Sequence, residues 1–396
     1  MPRILHITSA GFMATAISFG PARIGFGLFL PTFRDSFTIS TTQAGFIASL
    51  AFCTFLIALP AAAWLDERSG PRSPILLGCI LATIGFFTVA VSSHVLVLSA
   101  GIALAATSAG LCWSPFNDAA KRMVPGRVRP GVLSTVATGT AIGVALTGLF
   151  FLSVSSGTIG WRPAWAVFAA VGALAAITAW YGVPAGRENP SGRQYLPNKR
   201  MLFRKSVVPV YIAACGFGLC NAIYISFAAD YVVAEGGLSD IPSVSAAAIL
   251  FLAYGIFGLF GLLTGRLEER IGLGFLLSLI FAAFTASLVL VALYPSLWGT
   301  VILSAGLHGA AVMMISAVLS FWSLRLFPDH GSFGFTAALV VVAASNALSP
   351  PVSGLIADKM NMSLGLLAGA VAPALVMVIF FIRAVFEHIR LRNGIR

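Results

Sequence analysis

Residues 63–70 read Ala63-Trp64-Leu65-Asp66-Glu67-Arg68-Ser69-Gly70, and residues 265–272 read Gly265-Arg266-Leu267-Glu268-Glu269-Arg270-Ile271-Gly272. A leucine, an acid, a glutamate, an arginine and a glycine recur in register at an offset of 202 residues. Each stretch follows an apolar run of roughly 20 residues, the length at which an α-helix crosses a hydrocarbon layer. The duplication therefore predicts a doubled helical unit rather than a chance cluster of charges.

Working outward, twelve spans are predicted: 8–31, 42–64, 74–92, 96–120, 132–153, 163–183, 207–233, 243–264, 273–293, 297–321, 333–356 and 363–386. Moving the first six along by the same offset lands them close to the last six. An even number of spans per unit makes the two copies parallel repeats about an axis along the membrane normal. The predicted fold class is an all-α membrane protein, with 12 transmembrane helices in two pseudo-symmetric six-helix halves. The predicted domains are residues 1–183, a basic cytoplasmic linker at 184–206, and residues 207–396 with a short cytoplasmic tail. Arg3 ahead of an apolar stretch resembles the start of a secretory signal. The run continues through Arg23 to Pro31 without a small-residue cleavage site, so it reads as an uncleaved first helix.

Composition closes off the alternatives. Of 396 residues, 58% are apolar and 9% charged, against about 25% charged in a soluble domain. Such a chain cannot cover a water-facing surface, which excludes a soluble enzyme, a nucleic-acid binder and a disordered regulator. Period-2 alternation is absent, so helices are favoured over a closed barrel. The net charge of +11 sits in short blocks between the apolar runs. With the N-terminus in the cytoplasm, the inner segments hold 20 of the 24 Lys and Arg, and the outer loops hold Arg34, Arg162 and Lys359. This bias predicts that both termini are cytoplasmic. Cys53, Cys79, Cys112, Cys215 and Cys220 all fall within spans without a CxxC pair, so neither a disulfide nor a metal framework is expected. No cofactor, metal or catalytic constellation is expected either.

The two quoted stretches resemble the signature loop of the major facilitator superfamily, approximately Gly-x-x-x-Asp-Arg-x-Gly-x-Arg. Ala63 stands in the Gly place and Glu67 in the Asp place, followed by Arg68, Gly70 and Arg72. The second copy has Gly265, Glu269, Arg270 and Gly272 and lacks the last Arg. Trp161-Arg162-Pro163-Ala164-Trp165 is similar to the start of the family's sixth helix. The resemblance implies a transporter that works by alternating access, with an inner cavity lined by spans 1, 4, 7 and 10. It gives no substrate. The Gly-Pro motif of drug–proton antiporters is missing from span 5, which has Gly139, Gly143 and Gly148 without a proline. The sugar-porter and nitrate patterns are absent too. On physical grounds, acid–arginine pairs across the halves would form a latch shutting the cytoplasmic side in one state, since a partly buried charge network supplies a few kcal/mol. Asp66, Glu67, Arg68, Gly70, Arg72 and Asp118 form the expected latch on the first half. Gly265, Glu268, Glu269, Arg270 and Gly272 form it on the second. Solvated topology charges are the plainer reading of the same residues.

A charge near the bilayer centre costs at least about 2.5–3.5 kcal/mol on insertion scales, so each one needs a reason. At about 1.5 Å per residue, Arg23 lies roughly 5 Å outward of the midplane and His308 near it. Asp118 and Asp230 lie roughly 15 Å off, at opposite interfaces. Arg23 has no acid at its own depth. It either offers a bidentate fork to an anion or braces backbone carbonyls freed near Pro21 and Gly25. His308 is expected to carry a proton or to bond solute, or else to be a satisfied structural histidine. Ser304 lies one turn before it. Asn221 with Tyr224, Trp113 with Asn117, and Asn346 complete the candidate solute site; their plainer role is interhelical hydrogen bonding.

The sequence thus predicts a secondary active transporter of a small organic, anionic solute, a monomer in a bacterial inner membrane, partnered by lipid and not by nucleic acid. Proton coupling is expected through His308 or Asp230. An exporter of amphipathic or cationic compounds is the first rival. A non-transporting sensor on a transporter scaffold is the second, and it would need a longer tail than the one after span 12.

Overall fold

Strong helix formers carry helices beyond the membrane until a glycine or proline stops them. The computed structural model describes residues 2–186, 199–327 and 331–392, and among these no strand occurs. The helices are α1 (Pro2–Phe19), α2 (Pro21–Phe37), α3 (Thr41–Ser69), α4 (Arg72–Ala90), α5 (Val95–Cys112), α6 (Pro115–Met123), α7 (Arg129–Ser155) and α8 (Trp161–Gly182). After a 3₁₀ turn at Lys199–Phe203 come α9 (Val208–Ala234), α10 (Ser245–Gly258), α11 (Thr264–Ile271), α12 (Leu273–Leu293), α13 (Trp298–Leu326), α14 (Gly331–Lys359) and α15 (Met362–Arg392). Twelve spans among the described residues are long and apolar enough to cross a membrane. Large apolar side chains such as Phe46, Ile57, Leu146 and Leu375 point outward, as lipid-facing helices require. Most of the predicted linker, residues 187–198, lies outside the described residues.

Three spans are broken where they approach the centre of the bundle. The first divides between Phe19 and Pro21, because proline has no N–H to donate and Gly20 lies against the Gly143 carbonyl. The fourth divides ahead of Pro115 for the same reason. The eighth tightens into a 3₁₀ segment, Leu259–Leu263, between α10 and α11. Sequence periodicity predicted each of these as one helix.

The duplicated stretches, expected to be loops, are largely helical. Residues 63–69 are the last turns of α3, and 265–271 belong to α11. Ala, Leu, Glu and Arg favour continuation. Only Gly70 (φ +82°) and Gly272 (φ +80°) leave the helix, in a backbone region that disfavours L side chains. Their N–H groups close back on Asp66 O and Glu268 O at 2.9 and 2.8 Å.

Aromatic packing stiffens the first six spans. Trp165 is fully buried among Phe29, Phe33, Phe86 and Phe168, with ring centroids 5.3–6.0 Å away. Trp161 anchors the start of α8 by donating Nε1–H to Ser36 Oγ at 3.1 Å. Helices α2 and α3 pack on α9 and α14, joining the first six spans to the last six. Gly27 makes the α2–α9 approach possible, since a Cβ there would overlap the Ile225 carbonyl oxygen.

Candidate functional site

Where the broken spans meet, a central cavity of about 70 Å³ opens between the two sets of six. Helices α2, α7, α9 and α10 supply its polar wall through Arg23, Thr140, Asn221 and Tyr254. Phe19, Phe55, Trp113, Phe217 and Phe335 supply much of the rest. Six of its lining residues, among them Trp113, Gly258 and Ser316, also line a wider cavity of about 380 Å³. That cavity runs on to Thr264 and Gly265, toward the end of the bundle that carries the duplicated stretches. A smaller cavity of about 20 Å³ lies on the opposite side of Arg23, against Gly27, Phe52 and Ser226.

Arg23 lines both the central and the smaller cavity. Its guanidinium carbon lies 4.9 Å from the Phe55 ring centroid, 5.6 Å from Phe52 and 5.7 Å from Phe19. Cation–π contact holds the head group without satisfying its five N–H donors. Among the described residues, no ion pair or side-chain hydrogen bond engages it. The backbone bracing weighed from the sequence is therefore not what holds Arg23; aromatic faces do. Asn221 is 1% exposed and its Oδ1 has no partner. Thr140 Oγ1 is likewise buried and unpartnered.

Arg23, Trp113 and Asn221 are thus brought together, whereas Tyr224, Ser304 and His308 stand apart from the cavity. The His308 ring stacks on Tyr224 with centroids 3.8 Å apart and shares a 2.8 Å hydrogen bond between Nδ1 and Ser287 Oγ. Ser304 Oγ donates to Ser287 O at 2.6 Å and lies 3.0 Å from the Tyr224 hydroxyl. These residues knit α9, α12 and α13 together behind Tyr254, and none of them reaches the void. Depth was read from the sequence, but helix rotation was not. Asn346 is fully buried with both amide atoms unpartnered, beside Gly218 of α9 and away from the three cavities. Asn117 belongs to α6, and its side chain lies outside the described residues.

Asp230 does not stand free either. Arg34 Nε lies 3.0 Å from both of its carboxylate oxygens, and Arg34 also bonds Ile39 O and Thr41 Oγ1. Among the described residues this is the ion pair that joins the first six spans to the last six. Three further bonds reinforce the same end. Asp358 of α14 accepts from Thr41 N and Thr42 N at 3.2 and 2.8 Å, and Ser49 Oγ donates to Ala347 O at 2.6 Å.

At the opposite end, the expected latch residues bond within their own half. Asp118 pairs with Arg122, which also donates to Gly186 O at 2.7 Å. Arg72 donates to Val183 O at 2.7 Å, and Arg68 lies over the Trp64 ring at 4.2 Å. Asp66 keeps one buried oxygen unpartnered. Glu268 pairs with Arg325 at 2.7 Å, while Glu67, Glu269 and Arg270 are exposed. Among the described residues no ion pair links the two duplicated stretches, and the wide cavity reaches Thr264 and Gly265 at the start of α11.

Arg34, Thr140 and Tyr254 were missed in the sequence. Tyr254 is the sole tyrosine of span 8 and sits mid-span, which was an available signal; Arg34 looked like a loop charge.

Solved structures share this arrangement of helices. A bacterial homologue of the human lysosomal transporter Spinster, inward-facing and unoccupied, is 17% identical, with a TM-score of 0.70 over 99% of this chain and 98% of that one. The nucleoside transporter NupG is 15% identical, with a TM-score of 0.73 over 96% and 98%. A POT family transporter in complex with 5-aminolevulinic acid is 12% identical, with a TM-score of 0.75 over 96% of each chain. The sequence pattern of the Major Facilitator Superfamily matches residues 9–293. With that match over most of its length and twelve helices able to span a bilayer, this integral membrane protein belongs to the Major Facilitator Superfamily of transporters.

Proposed function

We propose that the chain moves a small organic anion through the membrane by alternating access, binding it at Arg23. The carrying observation is the guanidinium itself, which borders two cavities with no protein acceptor among the described residues. A desolvated cation costs several kcal/mol unless it is paired. A carboxylate would satisfy the fork bidentately. Among the described residues no Asp or Glu lines any of the three cavities, which argues against an exporter of cations.

On this reading the carrier is open at the end bearing the duplicated stretches and shut at the Arg34–Asp230 end. The excess of Lys and Arg at the open end supports an inward-facing assignment in a bacterial inner membrane, with both termini in the cytoplasm. The self-contained bonding of Asp118, Arg72 and Glu268 fits a latch in its parted state. Two groups were candidates for proton coupling. We retain Asp230, because its charge fastens the two halves together; His308 is sealed in packing behind Tyr254.

Thermal-shift measurements on detergent-purified protein test the reading. Carboxylates should raise Tm in the native chain, and Arg23→Ala should abolish the rise while Arg23→Lys keeps part of it. Stabilisation by matched ammonium compounds, with none by carboxylates, overturns the proposal.

A further inference from the structure

The walls around Arg23 restrict which anions fit. Among the described residues one cation lines the central cavity, and it is flanked there by aromatic and aliphatic side chains. A second negative charge on the solute would face Phe19, Phe55, Phe217 or Val144 without a partner, and an unpaired buried charge is strongly disfavoured. A chain of hydroxyls fares no better, since each buried hydroxyl left without a partner weakens binding. The polar atoms free to bond are few. Ser316 Oγ donates its proton to Val312 O at 2.7 Å, which leaves it only as an acceptor. Asn221 Oδ1 and Thr140 Oγ1 are buried, unpartnered and on helices other than that of Arg23. With the Tyr254 hydroxyl beside them they form a small polar patch on a mainly apolar wall, and two orphaned atoms there are what a ligand's hydrogen-bonding group would satisfy.

We infer that the solute is a monocarboxylate with a planar, apolar body and one further hydrogen-bonding group, the chemistry of a hydroxylated aromatic acid. Arg23 takes the carboxylate, the aromatic walls take the ring, and Asn221 with Thr140 takes the hydroxyl. This rests on the reading that Arg23 binds an anion and narrows it.

Calorimetric titration of the purified full-length protein tests the inference. The probes are 4-hydroxybenzoate, benzoate, succinate, gluconate and inorganic phosphate. The expected order places 4-hydroxybenzoate about tenfold tighter than benzoate, as one hydrogen bond confers. Succinate, gluconate and phosphate should bind at least about a hundredfold more weakly than 4-hydroxybenzoate, as unpaired polar groups predict. Thr140→Val combined with Asn221→Ala should remove the preference for the hydroxylated acid. The ranking on the native chain decides the matter even where that double variant does not fold. If succinate, gluconate or phosphate binds best and Arg23→Ala abolishes that binding, the inference falls while the anion reading stands. Equal affinity for benzoate and 4-hydroxybenzoate removes the assigned role of Asn221 and Thr140. If no probe binds, or if Arg23→Ala leaves binding intact, both readings fall.

Discussion

Replacing Asp230 with Asn should loosen the shut end of the carrier. In the native chain Arg34 Nε lies 3.0 Å from both carboxylate oxygens, and the side chains are 25% and 8% exposed. Breaking a fully buried pair costs about 3–5 kcal/mol, because the remaining charge is stranded. Arg34 is only partly buried and keeps the Ile39 carbonyl and the Thr41 hydroxyl as acceptors, so a smaller figure of about 2 kcal/mol applies. That energy is lost only in the state where α2 and α9 are held together, so it shifts the equilibrium between states by about thirtyfold. A carrier populating the alternative at about one in a hundred would then populate it at about one in four. Thr158 and Met360, both exposed, lie in loops of the first and last six spans at this end. With the five free cysteines replaced, spin labels at these two positions read the separation by pulsed electron resonance. Asp230→Asn should add a longer-distance population, and exchanging the partners (Arg34→Asp with Asp230→Arg) should largely remove it. Unchanged distance distributions in Asp230→Asn would refute the assignment of this pair as a fastener.

Three further outcomes are expected. Glu268→Gln breaks a pair in which Arg325 is 55% exposed; it should lower stability by less than about 1 kcal/mol and leave the label distances unchanged, as a chemical-denaturation series would show. His308→Leu removes the Ser287 hydrogen bond and the stack on Tyr224, costing about 1–2 kcal/mol, yet carboxylate affinity should stay within about twofold, because affinity losses at bonds the ligand does not make are small. In proteoliposomes, carboxylate-for-carboxylate exchange should outrun net efflux, because an empty carrier must close around an unpaired Arg23; equal rates would contradict that cost.

The architecture was legible because lipid imposes so few solutions. Apolar runs, the positive-inside bias and one duplicated stretch predicted twelve helices in sequence order. The height of Arg23 and its lack of an acid at that height were also readable. What stayed hidden was rotation. Tyr224, Ser304 and His308 were assigned to the cavity by depth; Ser304 and His308 turned instead toward α12, and Tyr224 toward α13. In a helix apolar on all sides, the sequence carries little record of which face meets a neighbour. The Arg34–Asp230 pair was hidden for another reason. Its members are 196 residues apart, and no local period connects them. The helix breaks at Pro21 and Pro115 had visible causes, but proline also occurs at Pro60, Pro350 and Pro373 inside helices that stay continuous. In a bundle, neighbouring groups decide which proline breaks its helix.

If Arg23 binds the solute as proposed, its position lets one charge serve both sides of a membrane. It borders the central cavity, which widens toward the duplicated stretches, and the smaller one, which ends at Gly27 and Ser226. Beyond the smaller cavity come the Gly27–Ile225 approach and then the Arg34–Asp230 pair. If those two contacts part, the guanidinium already faces the other exit, so α2 does not have to turn over. The rearrangement then reduces to exchanging one set of interhelical contacts for another, while the aromatic clamp of Phe19, Phe52 and Phe55 moves little. The clamp also explains why aromatic faces suit this position better than a carboxylate. A resident Asp or Glu would neutralise the arginine permanently and compete with the solute. Cation–π contact, worth about 0.5–2 kcal/mol per ring, holds the head group in place and leaves its N–H donors for the proposed anion.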